Sequence, residues 1–190
     1  MNELESHDRR VRRTRLAVFD AFRTLVLSQR YDDIRVADII EAADIGRSTF
    51  YDHFGSKDDV LLSSIEPLFD ILADMSSESI VRERVFFVLS HFWDQRAMAR
   101  IILGPDLFFK LTRKLADLIE VKLTPESDLP SRLAAIDLAS SQLGVIKAWL
   151  AGEFACDADV LTDYLIAQAR RAPSALGQEN FPAPLTRRQN

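Results

Sequence analysis

The sequence predicts an all-α protein: a three-helix helix-turn-helix unit at the N-terminus, then a domain of roughly six helices. Two observations carry that expectation. Residues 34–54 read IRVADIIEAADIGRSTFYDHF, two short apolar-periodic segments around a glycine-containing turn, the second bearing Arg, Ser, Thr, Tyr and His. From Lys57 onward, apolar residues recur at helical spacing between short Gly, Pro and Ser breaks, and no stretch alternates as a strand would.

The first helix is expected over residues 10–29, with Leu16, Phe19, Ala21, Phe22, Leu25 and Val26 as its apolar stripe and Arg30-Tyr31-Asp32-Asp33 as its break. In the second, near 36–43, Val36, Ile39 and Ile40 face inward, while Ala42 and Ala43 are small enough to let a neighbour approach. Asp44-Ile45-Gly46 makes the turn. Ile45 plugs the interhelical angle, and Gly46 supplies backbone freedom or an N-cap. The third helix starts at Arg47 and runs to about Phe54. Phe50 and Phe54, four residues apart, share its inward face and leave Arg47, Ser48, Thr49, Tyr51, Asp52 and His53 over the rest. Gly55-Ser56 ends it, and Ser56 with Asp59 forms a capping-box pattern for the next helix. Further helices are expected near 57–75, 78–95, 97–103, 106–123, 131–151 and 157–171. The domains are then 1–56 and 57–172, with 173–190, rich in Pro and polar residues, expected as a disordered tail.

Composition narrows the class. The chain has 190 residues, 47% of them hydrophobic, enough for a sizeable core. The start, MNELESHDRRVRRTR, lacks a signal-type apolar run, and no uninterrupted apolar stretch reaches the ~18 residues of a membrane span. With Cys156 as the single cysteine, no intrachain disulfide can form, and a cytoplasmic location without membrane contact is expected. His7, His53 and His91 are scattered, and no HExxH, GxSxG, phosphate-loop or metal-ligand spacing occurs, so neither catalysis nor a cofactor is expected. The net charge of −5 is unevenly spread: residues 1–57 carry ten basic and ten acidic side chains, so the excess acid lies beyond Lys57. Five of the bases, Arg9, Arg10, Arg12, Arg13 and Arg15, form an N-terminal basic arm able to follow a phosphate backbone or enter a minor groove.

The run from Ile34 through RSTFYDHFGSKDDVL resembles the helix-turn-helix of the TetR family of bacterial transcriptional regulators. The resemblance covers about the first third of the chain. It implies a sequence-specific DNA-binding regulator: a homodimer on a palindromic double-stranded operator, and a repressor released by a small apolar or aromatic effector. On this pattern Arg47 and Thr49 would read base edges, while Arg12, Arg13, Arg35, Ser48, Tyr51, His53 and Lys57 would hold phosphates. Two positions depart from the family pattern. Gly46 stands where a capping Ser is common, and Asp52 where basic or aromatic residues are frequent. Asp52 keeps an alternative open, a helical regulator that has lost DNA binding and acts through protein contacts.

Two further surfaces follow from helical spacing. Ser140, Gly144 and Ala148 leave one face of their helix nearly flat, and with Leu161 and Leu165 they are expected to form a two-fold dimer interface. Between the DNA module and those helices, large apolar residues are dense. Phe69, Phe87, Phe92 and Phe108, with His91 and Gln142 as polar groups, are the candidate lining of an effector cavity.

Overall fold

The computed structural model describes residues 3–77, 80–123 and 130–176. Among them are nine α-helices, two 3-10 turns and no strand: α1 (Glu3–Ser28), a 3-10 turn (Tyr31–Asp33), α2 (Val36–Ala42), α3 (Arg47–Tyr51), α4 (Lys57–Ala73), a 3-10 turn (Asp74–Ser76), α5 (Arg82–Asp94), α6 (Arg96–Ile102), α7 (Pro105–Lys122), α8 (Ser131–Ala151) and α9 (Ala158–Leu176).

Helix α1 begins at Glu3, well before residue 10, so the arginines at 9–15 lie on helical turns and not in an extended arm. Its buried face is Val18, Phe22 and Val26, whereas Leu16, expected inside, is 52% exposed. Helix α5 starts at Arg82, later than residue 78, and α9 runs on to Leu176, so the expected tail is helical over 173–176. The rest of that tail, residues 177–190, lies outside the described residues.

Helix α1 packs on α2, α4 and α6; α4 lies along α7, α7 along α8, and α5 along α9. The buried side chains form one continuous cluster, from Phe22 and Phe50 in the N-terminal unit through Ile65 and Phe69 to Leu115 and Leu143. Burying so much apolar surface in a single cluster drives the helices together. Helix α8 is apolar and long enough to cross a membrane by composition, but Leu138, Leu143, Ile146 and Leu150 bury it in this core.

Two glycines are required by the backbone. Gly104 links α6 to α7 where a Cβ would lie 2.8 Å from the Ile101 carbonyl. Gly152, at φ 82°, ends α8 in a Schellman motif, with Glu153 N–H donating to the Ala148 carbonyl at 3.0 Å. Close by, Trp149 donates its indole N–H to the Cys156 carbonyl (2.9 Å) and stacks on Trp93 at 4.8 Å.

Candidate nucleic-acid interface and core cavity

Helix α2 is capped at its start by Asp38, whose carboxylate accepts the Arg35 N–H at 2.8 Å. At its end, Asp44 takes the left-handed conformation (φ 50°), while the Asp44 and Ile45 N–H groups donate to Glu41 and Ile40 at 3.1 and 3.3 Å. That is a Schellman motif with Asp in the usual glycine position. The turn's unusual backbone therefore belongs to Asp44; Gly46 is extended (φ −72°) and caps α3 without a side chain. The regular helix α3 stops at Tyr51, three residues short of the sequence expectation. A final Phe54 N–H to Phe50 carbonyl bond of 2.9 Å carries the chain on and turns Phe54 into the core.

Phe50 and Phe54 are fully buried, 5.8 Å apart, with Phe19 edge-on to Phe54 at 5.7 Å. This anchor leaves Arg47, Ser48 and Tyr51 exposed and Thr49 and His53 partly so. The Arg47 guanidinium lies 5.7 Å over the Tyr51 ring, which restricts its swing. Both residues border a groove of about 390 Å³ between α2 and α3, shared with Val36, Ile40, Ile45, Glu41 and Asp44. Arg35, next in sequence to Val36 of that groove, is exposed, and so are Arg12 and Arg13 on α1. Asp52 is exposed too, so this face mixes acids with bases.

Lys57 departs from its expected role. Its ammonium donates to the carbonyls of Tyr31 (2.7 Å), Asp32 (3.1 Å) and Ile34 (3.0 Å) and lies 4.5 Å over the Tyr31 ring. All three N–H donors are thus committed to the protein, and none is left for phosphate. Tyr31 in turn donates its hydroxyl to Asp58, which also accepts from Lys110 of α7 at 2.5 Å. Burial first, then the hydrogen bond to Asp58, pushes the Tyr31 phenol far above its ordinary pKa. Ser56 caps α4 by accepting the Asp59 N–H at 3.1 Å. The Asp59 carboxylate accepts from Gly55 N–H at 2.9 Å, one residue before the position of a standard capping box.

In the C-terminal part, a cavity of about 80 Å³ brings together Phe69, His91 and Phe92 with Gln95, Met98, Ala99, Ile102, Leu103 and Leu111. Three of the expected lining residues stand apart from it. Phe87 is 61% exposed, Phe108 packs under Lys147 (4.7 Å), and Gln142 is buried elsewhere on α8 with its Oε1 unpartnered. On the far side, Gly144 has open space around it, with Ser140 exposed and Ala148 partly exposed on the same stripe. Leu161 (2% exposed) and Leu165 (0%) belong to the chain's own core instead. The α9 residues turned outward are Val160 and Tyr164, which border an apolar groove of about 320 Å³ with Val145 and Phe154.

Residues 20–63 match the family model for bacterial regulatory proteins of the tetR family. A 60-residue stretch is 43% identical to the uncharacterized HTH-type transcriptional regulator YxbF of Bacillus subtilis (strain 168); it covers 31% of this chain but only 16% of that protein. The TetR transcriptional regulator of Streptococcus agalactiae 2603V is 27% identical, with a TM-score of 0.56 over 88% of this chain and 99% of that one. Its helix-turn-helix segment thus matches the tetR family, and along most of its length the chain is similar to a TetR regulator.

The dihydroxyacetone kinase operon activator DhaS shares the fold alone, at 17% identity and a TM-score of 0.51 over 87% of this chain and 98% of that one. Sequence reasoning missed two contacts of the helix-turn-helix. Arg15, 4.9 Å over Phe54, closes α1 onto the unit, and Lys57 ties α4 to residues 31–34. For the second, the carbonyls that Lys57 grips lie 23 to 26 residues earlier, so its own neighbourhood carries no signal. For Arg15 the sequence holds no signal, because it sits among four similar arginines.

Proposed function

We propose that this TetR-family chain is a cytoplasmic, homodimeric, sequence-specific DNA-binding regulator, acting as a repressor released from a palindromic operator by a small apolar or aromatic effector. The observation that carries the reading is the anchored recognition helix: Phe50 and Phe54 are buried while Arg47, Ser48 and Tyr51 stand exposed on the opposite side. A rigid helix with polar reach on one face suits a major groove. Arg47 and Thr49 are the proposed base readers; Arg12, Arg13, Arg35, Ser48, Tyr51 and His53 are the proposed phosphate contacts.

The flat stripe of Ser140, Gly144 and Ala148, continued by Val160 and Tyr164, supports dimerisation, which a palindrome requires. A cavity of about 80 Å³ is far smaller than the ~300 Å³ or more of usual ligand sites. An effector larger than a few atoms must therefore spread its walls, α4, α5, α6 and α7, of which α4 and α6 also touch α1. The ligand would then favour a conformation with displaced reading helices and lower DNA affinity.

The second reading, a regulator working through protein contacts, draws on the exposed acids Glu41, Asp44 and Asp52 around α3. Selection of duplexes from a random-sequence pool, followed by anisotropy titration at two salt concentrations, separates the two. Tight, salt-steep, sequence-selective binding that Tyr51→Ala loses supports the DNA reading. Absence of binding even to bulk DNA at low salt favours the other.

A further inference from the structure

We propose that Lys110, a residue of α7, is a positioning residue for the helix-turn-helix, holding it through Asp58 and Tyr31; this rests on the DNA-binding reading above. Helices α4 and α7 are joined along their length by ion pairs. Lys110 meets Asp58 (2.5 Å), Lys114 meets Glu66 (2.7 Å), and Lys122 meets Asp74 (2.7 Å) and Asp70 (3.5 Å). The first rung differs from the others. Its acceptor, Asp58, also takes the hydroxyl of Tyr31, a residue of the connection between α1 and α2 that is 6% exposed.

Beside it, Lys57 grips the carbonyls of residues 31, 32 and 34. Lys110 lies 5.9 Å from the Tyr31 ring on the same side of the knot. One turn earlier on α7, Asp106 approaches Arg30 at 3.9 Å, an exposed contact of little energetic weight. The gripped segment leads within two residues into α2, whose far end sets the angle of α3. The direction of the reading helix is thereby referred to α7, more than fifty residues further along the chain. Removing Lys110 leaves the apolar α4–α7 contact intact, because Leu107, Leu111 and Leu115 remain buried. What it removes is the partner that holds Asp58 under Tyr31.

The test compares Lys110→Met with Lys114→Met, which deletes the same charge from the same helix at a rung that does not reach Tyr31. The probes are a duplex selected by the wild-type protein from a random-sequence pool and a scrambled duplex of equal length. Lys110→Met is expected to weaken binding to the selected duplex by roughly 2- to 30-fold relative to the scrambled one, with an unchanged salt slope. It should also quicken amide exchange over residues 31–54. Lys114→Met should leave both readouts near wild type, and Lys110→Arg should restore them. Equal behaviour of the two methionine variants, or wild-type discrimination and exchange in Lys110→Met, overturns the proposal. If the wild-type protein selects no duplex, the DNA-binding reading fails, while the exchange comparison still decides whether Lys110 holds the helix-turn-helix.

Discussion

The Arg15 guanidinium lies 4.9 Å above the ring of Phe54, so α1 closes over the residue that ends the recognition segment. It also lies 5.5 Å over Phe19, so one cation caps both rings of this edge-on pair. Arg15→Ala should lower stability by about 0.5–1 kcal/mol in a circular-dichroism melt. Arg12→Ala, exposed on the same helix, should leave the melt unchanged and weaken all duplexes alike, reducing the salt slope by about one. The reverse pattern would exchange the two roles.

Asp44 holds a left-handed turn position that a Cβ disfavours, and its carboxylate makes it more tolerant than most residues. Asp44→Ala is expected to cost about 1 kcal/mol. Gly46→Ser should instead add a few tenths, since a Cβ there meets Thr49 Oγ1 at 3.6 Å and Ser48 Oγ at 3.9 Å, both ordinary contacts, and the hydroxyl can cap α3. Chemical denaturation of the two variants side by side gives the sign of each.

Asp58 supplies a pH dependence. Burial alone would raise its pKa, but hydrogen bonds from Lys110 and Tyr31, with the charges of Lys110 and Lys57, overcome this and hold it below the usual 3.8. Because the folded value is the lower one, the unfolded chain takes up the proton first as pH falls. The contribution is complete above the unfolded value and is lost as pH drops through the folded one. Stability should decline from about pH 5 downward, and Asp58→Asn should flatten that decline. A melt series over acidic pH that is identical in the two proteins would rule this out.

Gln142 is 2% exposed, and its Oε1 has no hydrogen-bond partner. A buried acceptor of this kind costs roughly 1–3 kcal/mol. Gln142→Leu should therefore raise the melting temperature. A fall would mean that the amide has a donor in solution, and a small hydroxylated or amino compound would be the first thing to seek there.

Gly144 sits in the middle of α8 with nothing within 4 Å of a built Cβ. Gly144→Glu should preserve the helical spectrum, even gaining about 0.5–1 kcal/mol of helix propensity, while sedimentation shows a lighter particle than wild type. An unchanged particle mass would remove this stripe from the proposed dimer interface.

Periodicity and punctuation made much of the architecture legible. Val36, Ile39 and Ile40 with Gly46 gave α2 and the start of α3, and α8 runs over Ser131–Ala151 as its spacing indicated. Which of two apolar stripes faces inward was less legible. Leu161 and Leu165 are four residues apart, as are Val160 and Tyr164, and it takes the positions of α5, α8 and the 3-10 turn after α4 beside α9 to decide that the first pair is covered. Helix α5 poses the same problem, with Phe92 turned in and Phe87 out. Lys57 could not be assigned from its own neighbourhood, because its partners lie 23 to 26 residues earlier.

The stacking of Trp93 on Trp149 has a practical side. These are the chain's two tryptophans, and both sit where α5, α8 and the segment before α9 meet. Tryptophan emission is therefore a reporter of that corner alone. A helix-turn-helix that frays or melts early would leave the fluorescence trace almost undisturbed, and an indole placed at Tyr51 would give the silent half of the molecule a voice of its own.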